Sequence, residues 1–74
     1  MPVNKEEIIK IFAANLRAER AKKRFTQEKL AEMADITPEY IARLEAEKYN
    51  PTLLVVANLA SALSIPIEKL LKND

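Results

Sequence analysis

This chain has 74 residues, 49% of them hydrophobic and 31% charged, and contains no Gly, Cys or His. At this length a single small domain is expected, burying about 60% of the surface its unfolded chain exposes; without Cys or His, disulfide frames, thiolate metal sites and imidazole general bases are excluded, and most enzyme chemistry goes with them. Twelve basic and eleven acidic side chains leave a net charge of +1, so total charge by itself does not point to a nucleic-acid partner.

The distribution of charge says more than its sum. Residues 5–24 carry seven basic and three acidic side chains, residues 25–50 carry three and six, and the remainder balance. This asymmetry is either a polarity directed at a partner or the ordinary solvation of helix faces.

Ala, Leu, Glu and Lys dominate and no run alternates polar with β-branched residues, so the chain reads as all-α. Five helices are predicted, at about residues 5–22, 27–34, 38–47, 53–63 and 66–72, in one domain spanning residues 1–74. The first begins after Asn4, with Glu7 placed to complete a capping box. Ile8, Ile9, Phe12 and Leu16 recur on one face, and the same stripe continued by four residues reaches Arg20.

Thr26 caps the second helix, which turns Leu30, Ala31 and Ala34 inward, and Thr37 caps the third, with Pro38 at its first position. Two short helices joined so closely form a helix-turn-helix. On the third helix Ile41 and Leu44 mark the inward face, and Glu45 falls on it too. Arg20 and Glu45 are therefore opposite charges on core-facing stripes, where an unpaired ion is costly, and they are expected to pair.

Asn50, Pro51 and Thr52 form a boundary, after which Thr52 caps a fourth helix whose stripe is Leu53, Val56, Ala57, Leu59, Ala60 and Leu63. Pro66 opens a fifth helix of about two turns that buries some of Ile67, Leu70 and Leu71. The longest wholly apolar stretch, Leu53 to Ala57, is far shorter than the roughly 20 residues of a membrane span, and no signal-peptide core precedes it. A cytoplasmic protein with no membrane partner is expected.

With this order of helices, Thr26-Gln27-Glu28-Lys29-Leu30-Ala31, Leu44-Glu45, Asn50-Pro51-Thr52-Leu53 and Leu59-Ala60-Ser61-Ala62-Leu63 resemble the Cro/C1-type (XRE) helix-turn-helix family of phage repressors and bacterial regulators. The resemblance spans roughly residues 12–71. It implies a five-helix, lambda-repressor-like DNA-binding domain with its helix-turn-helix at helices two and three. It also implies a transcriptional regulator that binds double-stranded DNA as a homodimer, with the third helix in the major groove of each half of a pseudo-palindromic operator. No cofactor, metal or catalytic residue belongs to that plan.

Carried over by position, Thr26 and Gln27 at the start of the second helix are expected to meet a DNA phosphate, aided by that helix's free N–H groups. Thr37, Pro38, Glu39, Tyr40 and Arg43 occupy the positions from which relatives reach base edges. Arg43 either bonds guanine O6 and N7 in bidentate fashion or meets a phosphate or solvent. Glu39 either accepts from cytosine N4 or stabilises the positive end of its helix. Tyr40, exposed by the helical register, either approaches a thymine methyl or packs on a neighbour. Lys48, Tyr49 and Asn50 lie where the family clamps the sugar-phosphate backbone. The Arg20 and Glu45 positions coincide with a salt bridge that the resemblance implies between the first and third helices.

Two departures from the family pattern stand out. Most relatives have Gly where this chain has Arg24, Asp35, Glu47 and Ser64, near helix ends that often turn left-handed. Leu54 and Val55 fall outside the inward stripe; with Ile65, Ile67 and Leu70 they form either the apolar patch of a two-fold dimer or a scatter of surface hydrophobes. Acidic Glu45 and Glu47 near the expected path of a phosphate bear on affinity rather than on fold. The narrower alternatives are a restriction-modification controller or an antitoxin of the same fold. A rival from another class is a helical protein-interaction module that has lost DNA binding.

Overall fold

Asn4, Thr26, Thr37 and Thr52 each accept, through a side-chain oxygen, the backbone N–H three residues on, at 2.9 to 3.1 Å. Each of these bonds satisfies a donor that a helix start leaves free, and a helix follows each one. The computed structural model, which describes residues 1–73, contains α1 at Lys5–Lys23, α2 at Gln27–Ala34, α3 at Pro38–Glu45 and α4 at Leu53–Ala62. A single 3-10 turn at Ile67–Leu70 completes it. The described residues contain no strand, and Asp74, the last residue of the expected domain, lies outside them.

The expected fifth helix is therefore corrected to a 3-10 turn, closed by Lys69 N–H to Pro66 O and Leu71 N–H to Glu68 O at 3.0 Å. Pro66 offers no side-chain cap, and so short a segment cannot offset the cost of nucleating an α-helix.

Helix ends repeat one device four times. Arg24, Asp35, Glu47 and Ser64 all adopt left-handed backbone, with φ of 59°, 60°, 64° and 57°. Just beyond each, the next amide turns back to the carbonyl five residues earlier: Phe25 to Arg20, Ile36 to Ala31, Lys48 to Arg43 and Ile65 to Ala60, at 2.8 to 3.1 Å. This is the Schellman closure, in which Gly usually supplies the left-handed residue. Each non-Gly residue in that region costs roughly 1–2 kcal/mol. The cost is accepted because the reversed chain drives an apolar residue onto the core: Phe25, Ile36 and Ile65 all pack there. Lys48 is exposed instead, at the end of α3.

The core joins Phe12 and Leu16 of α1, Leu30, Ala31 and Ala34 of α2, Ile41 and Leu44 of α3, and Val56, Leu59 and Ala60 of α4, with Leu63 and Leu70 closing its base. α2 packs on both α3 and α4, while α1 crosses α3 and the 3-10 turn. Three expectations are corrected here. Leu70 is fully buried in its own chain's core and so is withdrawn from any partner-facing patch, because the tight 3-10 turn swings it inward. Leu53 is 77% exposed, since the first turn of α4 projects past the end of the core that Val56 and Leu59 fill. Ala57, one residue around from Val56, also faces solvent.

Candidate nucleic-acid interface

Residues 35–37 join α2 to α3, and Glu45 fixes how the pair sits on α1. Arg20 donates from Nε to Glu45 Oε2 at 2.7 Å and from Nη2 to Oε1 at 3.0 Å, and Gln27 Nε2 donates to the same Oε1 at 3.1 Å. A third donor of Arg20, Nη1, bonds the Phe25 carbonyl at 2.9 Å. The Glu45 carboxylate, only 6% exposed, thus gathers donors from α1 and α2 onto the last residue of α3. Its hydrogen bonding holds the Arg20 guanidinium above its ordinary pKa, against a smaller opposing effect of burial.

Arg17 was missed by the sequence reading. Its Nη1 donates to the main-chain carbonyl of Glu45, satisfying an acceptor that the end of α3 leaves free. The signal was available: Arg17 lies three residues before Arg20, on the same face of α1. Glu19, also missed, is buried and bonded to Lys22 Nζ at 3.1 Å.

Along the outer side of α3, Thr37, Glu39 and Arg43 are exposed and Pro38 is half-buried. Thr26 and Thr37 spend an oxygen lone pair on capping and retain a hydroxyl proton. Gln27 is half-buried and commits one amide proton to Glu45, leaving its second for a ligand. Lys48, Tyr49 and Asn50 are exposed beside the end of α3.

Tyr40 departs from the exposed position expected of it. It is half-buried against the core, and its ring meets that of Tyr49 edge-on, with centroids 5.4 Å apart and planes at 78°. The Arg43 guanidinium carbon stands over the Tyr49 ring, 5.8 Å from its centroid. The structure thus brings the side chains of Tyr40, Arg43 and Tyr49 together, while the Thr37 hydroxyl caps the Tyr40 amide.

On α4 and beyond, Leu54 is 68% exposed, and Val55, Ile65 and Ile67 are half-buried. Leu53 adds to their apolar surface. No helix among the described residues is long and apolar enough to cross a membrane.

A helix-turn-helix family model matches residues 16–70. Over 65 residues the chain is 37% identical to control protein C.SmaI of Serratia marcescens, covering 88% of this chain and 77% of that protein. It is 34% identical over 59 residues to the immunity repressor protein of Bacillus phage phi105, covering 80% of this chain but only 41% of the phage protein. Among solved structures, the restriction-modification controller protein C.AhdI from Aeromonas hydrophila matches with a TM-score of 0.81 and 31% identity, over 84% of this chain and 94% of that one.

Proposed function

Because the chain belongs to the Cro/C1-type helix-turn-helix family of DNA-binding transcriptional regulators, we propose that it occupies a pseudo-palindromic operator as a homodimer. One α3 enters the major groove of each half-site. The family is one of regulators, not of enzymes. The observation that carries this reading is the α2-turn-α3 unit locked to α1 through Glu45, with Arg43 and Thr37 on the open side of α3.

In this reading Arg43 reads a base edge, with Thr37, Pro38, Glu39 and Tyr40 lining the groove around it. Thr26 and Gln27 bond one phosphate at the start of α2, and the main-chain N–H groups of Lys48, Tyr49 and Asn50, with the Lys48 ammonium, hold another. Leu54, Val55, Ile65 and Ile67 form the two-fold contact between protomers, extended by Leu53. The protein works wherever its DNA is held.

A narrower reading is favoured by one observation: the likeness to C.SmaI and C.AhdI runs over 77% and 94% of those chains, against 41% of the phage repressor. In that reading the regulated genes are those of a restriction-modification system.

Selection of duplexes from a random DNA pool, followed by titration of the enriched site at two salt concentrations, tests the proposal. An inverted repeat with half-sites about 10 bp apart is expected, bound with an affinity that falls steeply with salt. Failure of the folded protein to enrich any sequence would overturn it and point to a protein partner.

A further inference from the structure

The left-handed turn at Glu47 returns the chain over the end of α3, and the Lys48 amide then bonds the Arg43 carbonyl at 2.8 Å. The next residue, Tyr49, places its ring 5.8 Å from the Arg43 guanidinium carbon and edge-on to Tyr40. Tyr40 and Arg43 are three residues apart on α3 and share a face, so the Tyr49 ring touches both from outside the helix. Arg43 is thereby held twice by one loop, through its backbone and through its side chain.

From this geometry we propose that Tyr49 is a positioning residue for Arg43, and so sets base discrimination from outside the recognition helix. The proposal rests on the reading of Arg43 as a base-contacting residue and deepens it. A solvated Arg side chain samples many rotamers, and ordering it on DNA reduces the gain from each bidentate contact. An aromatic face attracts a guanidinium within about 6 Å of its centroid, so the Tyr49 ring restricts those rotamers before DNA arrives. The ring, rather than the hydroxyl, is the active part. Tyr40 meets the same ring edge-on.

The test compares the wild type with Arg43→Ala, Tyr49→Phe, Tyr49→Leu and the Arg43→Ala/Tyr49→Leu double variant, scoring base preference at every operator position. Tyr49→Leu is expected to lose roughly two- to fivefold in discrimination, at the one position that Arg43→Ala relaxes, with no further loss in the double variant. Tyr49→Phe is expected to keep the wild-type profile. In the free wild-type protein the Arg43 side-chain protons are expected to show a ring-current shift in NMR that persists in Tyr49→Phe and vanishes in Tyr49→Leu; its absence from the wild type overturns the proposal without any variant.

Uniform weakening by Tyr49→Leu on all sequences, with Arg43→Ala still selective, overturns the positioning role alone. So does a Tyr49→Phe variant that behaves like Tyr49→Leu, which would assign the hydroxyl to a phosphate. An Arg43→Ala variant with an unchanged base profile overturns both the base-reading role of Arg43 and the proposal built on it.

Discussion

Arg20 and Glu45 meet through two hydrogen bonds, at 2.7 and 3.0 Å, with the Arg side chain 22% and the Glu side chain 6% exposed. Removing one partner leaves the other partly desolvated and without its opposite charge, although Glu45 keeps its bond from Gln27 and Arg20 keeps its bond to the Phe25 carbonyl. Arg20→Met and Glu45→Leu should each cost about 3 kcal/mol in urea unfolding, while the double variant should regain most of that loss. Additive losses would mean that the two do not act as a pair. Because the Arg20 pKa is raised above its ordinary value, its contribution is complete below that ordinary value and is lost only as pH rises through the raised one. No pH dependence from Arg20 is therefore expected between about pH 5 and 9.

The four left-handed residues predict stabilising substitutions. Arg24→Gly, Glu47→Gly and Ser64→Gly should each raise stability by about 1 kcal/mol, or about 4–8 °C in Tm for a domain this small. Asp35→Gly should add less, since Asp tolerates this conformation better. Arg24→Ala serves as the control: it removes the side chain but keeps the left-handed cost, so no comparable gain is expected.

Leu54 and Leu70 separate assembly from folding. With Leu54 68% exposed and Leu70 fully buried, Leu54→Asp should shift sedimentation equilibrium toward monomer while circular dichroism stays helical. Leu70→Asp should unfold the chain, because a carboxylate cannot be accommodated in that core. An unchanged mass for Leu54→Asp would remove the α4 surface from the proposed dimer.

Gln27 and Lys48 should act on affinity without altering sequence preference. Gln27→Ala is expected to weaken every duplex by about tenfold through a lost bond to a charged phosphate. It should also cost about 1 kcal/mol of stability, since Gln27 donates to Glu45. Lys48→Ala should lower the slope of log affinity against log salt by about one. Selective loss at one base position by either variant would reassign that residue to base reading.

Each feature that could be read in the residues depends on short-range periodicity or capping. The caps at Asn4, Thr26, Thr37 and Thr52, and the buried faces of α2 and α3, follow from neighbours within one turn. Arg20 and Glu45 could be placed opposite one another because each continued an apolar stripe. The helix-turn-helix was legible in the spacing of two short capped helices and in the motif residues of α2. Arg17, by contrast, bonds a carbonyl 28 residues away; its spacing from Arg20 puts it on the same face of α1 but does not name that acceptor.

The sequence by itself determined that the chain is helical, where its four α-helices begin, and which family's motifs it carries, because these depend on capping chemistry and on residues three or four apart. Only the tertiary structure decided that Leu70 is core and Leu53 surface, and that Pro66 leads into a 3-10 turn. It also decided that Tyr49 comes back to meet Tyr40 and Arg43, and that all four chain reversals are left-handed without a Gly. Those outcomes depend on which space remains once α1, α2 and α4 have packed, and, at three of the four turns, on a local backbone cost offset by packing Phe25, Ile36 and Ile65 against the core.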